Sequence, residues 1–181
     1  MTYSIFYCDP PWDYKGREQH NTVEGNKSVQ HHYATMTLAE LKKLDVESLA
    51  EPNALLFLWT SSPHLPQAIE LMTSWGFHYK TVAFVWDKQK VNVGYYTLSQ
   101  CELCLVGKRG AIPTPRGATN IRQFVSQCRT KHSEKPAEVR DRITQMFPSQ
   151  KKLELFARTA VEGWDCWGNE VQSTVVLPVR P

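Results

Sequence analysis

The chain has 181 residues, of which 41% are hydrophobic and 22% charged, and its formal net charge is +3 at pH 7. Length and composition predict one globular domain over residues 1–181. No apolar run is long enough to span a bilayer, and the N-terminus lacks the pattern of a secretory signal. Five scattered cysteines are typical of reduced thiols rather than of a disulfide framework. We therefore expect a cytoplasmic protein without a membrane segment.

The first predicted element is a short buried strand at 4–8, and the motif that follows it is the most informative part of the chain. It reads Asp9-Pro10-Pro11-Trp12. Two consecutive prolines fix φ and remove two N–H donors, so their carbonyls project as acceptors on a stiff turn. Asp9 adds an acceptor and Trp12 adds a flat apolar face. Such a set can hold a planar ring with an amine, as an enzyme acting on a flipped adenine must; the alternative is a Pro-Pro turn without chemistry.

Strands and helices alternate along the rest of the chain. After a long polar loop at 13–34, a helix begins at Thr37, where Glu40 completes a capping box, and Pro52-Asn53 ends it. The later elements are a strand at 54–59, a helix from Ser62-Pro63 to about Trp75 that Gly76 stops, a strand at 79–86, a loop at 87–99, strands at 101–106 and 124–129, a helix at 136–147, and strands at 152–156 and 165–167. This alternation predicts an α/β fold with a doubly wound, mostly parallel sheet that binds ligands at the carboxyl ends of its strands.

The Asp9-Pro10-Pro11-Trp12 motif resembles the catalytic motif of the MT-A70 family of S-adenosylmethionine-dependent adenine-N6 methyltransferases. Six further blocks resemble that family in its order: 56–59 (LFLW), 85–88 (VWDK), 102–107 (ELCLVG), 132–136 (HSEKP), 154–158 (ELFAR) and 164–170 (WDCWGNE). The resemblance covers nearly the whole chain. It implies a Rossmann-like class I methyltransferase fold with a permuted motif order, in which the catalytic strand comes first and the cofactor strand comes near the end.

The resemblance gives catalytic roles to Asp9, Pro10, Pro11 and Trp12. An adenine N6 amine is a poor nucleophile because its lone pair is delocalised into the ring. Asp9 and the Pro10 carbonyl can each accept one of its N–H groups, which favours a pyramidal nitrogen and stabilises developing positive charge. Trp12 is expected to stack on the base, and alignment of nitrogen, methyl carbon and sulfur supplies the remaining rate gain. This chemistry needs neither a metal nor a covalent nucleophile.

The resemblance also implies a binding site for S-adenosyl-L-methionine. Its predicted cofactor-binding residues are Cys8 (through its backbone), Asp9, Lys135 (near the methionine carboxylate), Phe156, Arg158, Asn169 and Glu170. The chain departs from some relatives at Ala157, which stands in place of a glycine, and its methyl group is expected to limit close approach of the backbone to the cofactor. Thr159-Ala160 also stand where some relatives have a His-Asn pair.

Two predicted loops, 13–34 and 87–99, mix aromatic and basic side chains, which suits base stacking combined with phosphate contact. Their predicted substrate-binding residues are Tyr14, Lys15, Tyr33, Lys88 and Tyr96. The stretch 107–131 carries six basic and no acidic residues. It is either a phosphate-tracking surface or a solvated loop. No metal site is predicted, because the CxxC pair Cys101 and Cys104 has no second pair.

The leading hypothesis is methyl transfer to adenine N6 in nucleic acid. DNA is favoured over RNA because the compact chain resembles bacterial and phage members of the family. An RNA methyltransferase, a non-catalytic binding subunit and a small-molecule or protein-amine methyltransferase are the alternatives. The intact Asp9, Trp12, Lys135 and Asn169 argue against a binding subunit, and a tryptophan at position 12 with the flanking blocks argues against the third alternative. Because so small a chain offers little footprint on DNA, we expect a homodimer or a heterodimer.

Overall fold

The structure is a computed structural model that describes residues 1–13, 35–94, 96–129 and 134–181. Within these ranges, seven strands form one sheet and three α-helices pack on it. In chain order the elements are β1 (Tyr3–Cys8), α1 (Leu38–Lys43), β2 (Ala50–Thr60), α2 (Leu65–Ser74), β3 (His78–Asn92), β4 (Ser99–Arg109), β5 (Phe124–Ser126), α3 (Ala137–Met146), β6 (Lys152–Leu155) and β7 (Asp165–Trp167). Short 3₁₀ helices lie at Val46–Leu49 and Ser62–His64. No helix in the described ranges is long and apolar enough to cross a membrane.

The sheet has the order β5-β3-β4-β2-β1-β6-β7. Only β4 runs against its neighbours, pairing antiparallel with β2 and β3, while the other four pairings are parallel. The prediction of a mostly parallel sheet is therefore confirmed. The first strand of the chain lies between β2 and the late strand β6, so the strand that precedes the Asp9 motif and the strand that the sequence assigns to the cofactor are neighbours in the sheet.

Side chains of β1 and β2 alternate between two hydrophobic layers, as the period of a strand requires. On one face, Phe6 and Leu56 pack with Trp75, which follows α2. On the other face, Tyr7 and Phe57 pack in a layer that includes residues of α3. Helices thus cover both faces of the sheet, which confirms the doubly wound arrangement.

The predicted end of the first helix is wrong. The capping box of Thr37 and Glu40 is confirmed, but α1 ends at Lys43. Pro52 lies inside β2 rather than at a helix end. A proline is tolerated there because it is exposed and the pairing of β2 with β1 shifts register at this point, so no ladder hydrogen bond is lost.

The predicted loop at 87–99 is also wrong in large part, because β3 and β4 form a long hairpin there. Asp87 pairs with Cys101, and Asn92 pairs with Ser99. The outer part of this hairpin is exposed on both strands. It therefore lacks the alternation of apolar and polar residues that marks a half-buried strand.

The carboxyl ends of β1 and β6 lie side by side, since Cys8 pairs with Leu155. The chain proceeds from β1 to β2 on one side and from β6 to β7 on the other. This is a topological switch point, where open α/β sheets bind their ligands. Asp9 and Phe156, the next residue of each strand, therefore stand together at this carboxyl edge of the sheet.

Candidate active site

The turn after β1 is fixed by backbone hydrogen bonds. The Trp12 N–H donates to the Pro10 carbonyl oxygen at 2.9 Å, and the Met36 N–H donates to the Pro11 carbonyl oxygen at 2.8 Å. The Asp13 N–H returns a bond to the Met36 carbonyl oxygen at 3.2 Å. The Pro10 oxygen keeps a second lone pair, because a carbonyl can accept two hydrogen bonds. The turn therefore presents a rigid acceptor next to Asp9.

The Asp9 carboxylate offers one engaged and one open oxygen. Its Oδ2 accepts a hydrogen bond from Lys135 Nζ at 2.8 Å, and the side chain is 24% exposed. Among the described residues, no hydrogen bond reaches Oδ1. Burial raises the pKa of the Asp9 carboxyl group, and the Lys135 ammonium opposes this rise without cancelling it. Asp9 is thus a partly desolvated acceptor with a stronger tendency to hold a proton than an ordinary aspartate.

Four charged side chains of alternating sign form an ion chain, Asp9–Lys135–Glu102–Lys88. Lys135 Nζ lies 3.2 Å from Glu102 Oε2, and Lys88 Nζ lies 3.3 Å from Glu102 Oε1. Lys135 Nζ also lies 5.7 Å from the ring centroid of Trp59. The side chains of Lys135 and Lys88 are only 10% and 6% exposed. Each buried charge is therefore stabilised by a partner rather than by water.

The ion chain reverses the effect of burial on two of its members. Burial disfavours the charged form of Glu102, but Lys135 and Lys88 outweigh it and lower the pKa of the carboxyl group. Burial likewise disfavours charge on Lys135, but Asp9 and Glu102 outweigh it and raise the pKa of the ammonium group. Glu102 and Lys135 are therefore both charged at neutral pH.

Trp12 is held rigidly at the edge of the site. Its indole N–H donates to the Trp59 carbonyl oxygen at 3.2 Å, and the residue is 6% exposed. Its ring is stacked with the His64 ring, with centroids 6.0 Å apart and planes inclined by 21°. His64 Nδ1 in turn lies 2.9 Å from Ser61 Oγ. A planar group therefore already occupies one face of Trp12 in this structure.

The predicted cofactor residues after β6 and β7 lie next to each other. Arg158 Nε is 3.7 Å from Glu170 Oε1. Asn169 precedes Glu170 in the chain and is exposed. Phe156 turns the chain with a positive φ of 60°, and its ring contacts Trp167 edge-on at 5.3 Å between centroids. Because a positive φ is rare outside glycine, the surrounding structure must hold Phe156 in this conformation.

Two side chains at the ends of β1 and β6 are buried. Ala157 is 2% exposed, so its methyl group lies inside the protein, and its effect on the approach of the cofactor stays a prediction. Cys8 is fully buried, so only its backbone can face a ligand. Burial also raises the pKa of the Cys8 thiol well above its usual range, which keeps it in the neutral form.

The predicted substrate-binding residues do not come together in the described part of the chain. Tyr96 is fully exposed near the tip of the β3–β4 hairpin, whereas Lys88 is buried in the ion chain. Tyr14, Lys15 and Tyr33 lie outside the described residues.

In the described part of the basic stretch, 107–129, the basic side chains do not all lie at the carboxyl edge. Because β4 is antiparallel, Arg109 lies opposite Ala54 near the start of β2, at the other edge of the sheet. There it pairs with Glu47 at 2.8 Å.

Sequence reasoning missed Glu102 as a site residue. The signal that was present is an acidic residue opening a predicted buried strand. An ionised side chain in such a place needs a partner, but the sequence alone does not identify Lys135 and Lys88 as those partners.

Comparison with known proteins identifies relatives along nearly the whole chain. A sequence model of the MT-A70 family matches residues 3–170. The Type II methyltransferase M.MunI of a Mycoplasma species is 51% identical, over 98% of this chain and 82% of its own length. The N(6)-adenosine-methyltransferase MT-A70-like protein of Arabidopsis thaliana is 30% identical, and the human N(6)-adenine-specific methyltransferase METTL4 is 28% identical. This chain spans 25% and 38% of the length of those two proteins.

Proposed function

The chain is a methyltransferase of the MT-A70 family, and we propose that its substrate is the N6 amine of adenine in DNA and its methyl donor S-adenosyl-L-methionine. The observation that carries this proposal is the pair of acceptors at the end of β1. Asp9 Oδ1 has no partner among the described residues, and the adjacent Pro10 carbonyl has a lone pair to spare. An amine with two N–H groups can satisfy both acceptors at once, which no monodentate donor can do.

These acceptors act on the reacting nitrogen. Hydrogen bonds from the amine to Asp9 and Pro10 withdraw its lone pair from the ring and orient it away from them, toward the methyl donor. They also stabilise the positive charge that develops on nitrogen, and they do so without reorganisation because the turn is rigid. The Lys135 ammonium keeps Asp9 ionised enough to accept. The proton released by the product amine then passes to Asp9 or to solvent.

The residues of the switch point fit the chemistry of S-adenosylmethionine, which supplies an electrophilic methyl group on a sulfonium sulfur. Asn169 and Glu170 provide amide and carboxylate groups suited to the ribose hydroxyls and the adenine edge of the cofactor. Lys135 uses two of its three N–H groups on Asp9 and Glu102, so a third is free to meet a carboxylate. Phe156 contributes an apolar ring and Arg158 a cation beside Glu170. The cofactor would lie across the ends of β1 and β6, as ligands of this fold class do.

Trp12 and Tyr96 supply aromatic surfaces for the nucleic acid. In the proposal, adenine replaces His64 on the face of Trp12, and Tyr96 contacts the nucleic-acid strand outside the site. DNA is favoured because the compact chain resembles bacterial members of the family, and the 51% identity to a Type II methyltransferase of Mycoplasma supports this choice.

The test is a transfer assay with methyl-labelled S-adenosylmethionine and matched pools of double-stranded DNA, single-stranded DNA and RNA. Each pool is digested to nucleosides and analysed for N6-methyladenine in its deoxy or ribo form. We expect label on deoxyadenosine, reduced by about 100-fold or more with Asp9→Asn. Label on adenosine alone would replace DNA by RNA as substrate. No label in any pool, with the cofactor bound, would overturn the proposal for the isolated chain.

A further inference from the structure

Two members of the ion chain, Glu102 and Lys88, touch neither reacting group of the proposed mechanism. They lie on adjacent strands of the β3–β4 hairpin, where Trp86 of β3 pairs with Glu102 of β4 and Lys88 follows two residues later. Lys88 is 5% exposed. Burying a lysine this far is costly, so its ion pair with Glu102 must be maintained by the fold rather than be incidental.

We propose that Glu102, held by Lys88, is a positioning residue that keeps the Lys135 ammonium shared between two carboxylates. The negative charge of Asp9 is then balanced at Oδ2, while Oδ1 stays open to adenine. This proposal deepens the proposed function and rests on it. It also assigns Lys88 to the interior of the site as a counter-ion, in place of the nucleic-acid contact that the sequence predicts.

The distances support an ammonium group of Lys135 that is shared between the Asp9 and Glu102 carboxylates. Lys135 Nζ lies 2.8 Å from Asp9 Oδ2 and 3.2 Å from Glu102 Oε2, so it bonds to both carboxylates at once. A lysine ammonium paired with a single carboxylate can bridge both of its oxygens, which would consume the acceptor that adenine needs. The pull of Glu102 on the far side prevents this. Lys88, 3.3 Å from the other oxygen of Glu102, balances its charge and limits that pull.

The charge on Asp9 responds to groups from every element around it. Lys135 and Arg158 lower its pKa and Glu102 raises it. The other titratable groups coupled to Asp9 are Tyr7 and Cys8 on β1, Cys104 on β4 and Glu154 on β6. Burial raises the pKa of the Tyr7, Cys8 and Cys104 groups well above their usual ranges, so these three stay neutral near pH 7 and the ion chain is the part that a substitution can tune.

Removing Glu102 and removing Lys88 should shift the pKa of Asp9 in opposite directions. In Glu102→Gln the competing carboxylate is lost, so Lys135 turns fully to Asp9 and lowers its pKa. In Lys88→Met, Glu102 loses its balancing cation and draws Lys135 away, so the pKa of Asp9 rises. A substitution that only loosened the fold would not produce shifts of opposite sign. Lys88→Arg keeps the charge and should restore the wild-type pKa of Asp9. Lys90→Met, at an exposed position on the same strand, is the matched control.

The first measurement is an NMR titration of protein labelled at aspartate carboxyl carbons, with the Asp9 signal assigned by its loss in Asp9→Asn. We expect midpoints shifted down in Glu102→Gln and up in Lys88→Met by about one pH unit each. Equal or same-sign shifts would overturn the proposal. This readout needs no substrate, so it stands even if the proposed methyl transfer fails.

The second measurement is the single-turnover rate of methyl transfer against pH. We expect Glu102→Gln to lose roughly tenfold in rate on the pH plateau, since the adenine acceptor is blocked. Lys88→Met should instead recover the wild-type rate at higher pH, because its Asp9 carboxyl group is then ionised. A wild-type plateau rate in Glu102→Gln with a shifted Asp9 titration would overturn the positioning role while leaving the proposed function intact.

Discussion

Gly168 lies directly against the backbone of Ala157, so closely that a Cβ atom on Gly168 would come within 2.1 Å of the Ala157 carbonyl oxygen. The Ala157 N–H also donates to the Trp167 carbonyl oxygen at 3.0 Å. This contact is what brings the segments after β6 and β7 together and sets Arg158 beside Glu170. The glycine is required here for close approach of two backbones, not for a positive φ.

Gly168→Ala should therefore separate the two segments and weaken the proposed cofactor site. A contact of 2.1 Å with a backbone atom cannot be relieved by a rotamer change, so the chain must shift. We expect cofactor affinity to fall by roughly tenfold and the free energy of unfolding to fall by about 1–3 kcal/mol. Isothermal titration calorimetry and urea denaturation measure the two effects. Val176→Ala, at an exposed position of the same C-terminal segment, should change neither; wild-type cofactor affinity in Gly168→Ala would exclude this role.

Asp9→Asn separates chemistry from cofactor binding. The amide keeps the shape of the side chain but replaces the anion with a neutral group, so the developing charge on the amine loses its stabilisation. Lys135 keeps Glu102 as a partner, so the fold should tolerate the change. We expect methyl transfer to fall by about 100-fold or more, with cofactor affinity within a few-fold of the wild type. Asp9→Ala should abolish transfer; normal methylation by it would show that the acceptor mechanism is wrong.

Lys135→Ala is expected to affect cofactor affinity first. The substitution removes the N–H group that we assign to the cofactor carboxylate, and it also removes the cation that opposes the raised pKa of Asp9. Cofactor affinity should fall by roughly tenfold, and the rate at saturating cofactor should recover as the pH is raised. Lys135→Arg retains the charge and is the control. An unchanged dissociation constant for S-adenosylmethionine would remove Lys135 from the cofactor site.

The pH dependence of the wild-type enzyme follows from the direction of the Asp9 shift. Burial raises the pKa of Asp9 above its usual range, and Lys135 offsets only part of this rise. The reaction needs the carboxylate, so activity is complete above this raised pKa and is lost as the pH falls through it. We expect the acid limb of the single-turnover profile above the usual aspartate value of about 4. An acid limb at or below that value, with the protein still folded by circular dichroism, would contradict the raised pKa.

Local patterns predicted the parts of the site that depend on neighbours in sequence. The turn at Pro10 follows from proline geometry, and the position of Asp9 at the carboxyl end of a strand follows from the apolar run before it. The partners of Lys135 could not be predicted in this way, because Glu102 approaches it through the sheet and 33 positions away in the chain. The hairpin of β3 and β4 was missed for a related reason: its outer part has no buried face to impose alternation.

Tyr96→Ala tests whether that hairpin contacts nucleic acid. The hairpin extends from the carboxyl edge, because β3 is parallel to β1 through the order of the sheet, and Tyr96 near its tip is fully exposed. Loss of one base-stacking contact should weaken binding by about 1–3 kcal/mol, or roughly 5- to 150-fold. Fluorescence anisotropy with labelled single- and double-stranded DNA measures this, with cofactor affinity unchanged.

Tyr79→Ala is the matched control for Tyr96→Ala, since Tyr79 is also exposed on β3 but pairs with Gly107 at the opposite edge of the sheet. It should leave DNA affinity within about twofold, because an isolated surface substitution changes a free energy by about 0.5 kcal/mol at most. If both substitutions weaken binding equally, the effect does not belong to the hairpin tip. If Tyr96→Ala instead changes the molecular mass in light scattering and leaves DNA affinity intact, the exposed tip serves subunit contact, and the nucleic acid must be held by other residues of the carboxyl edge.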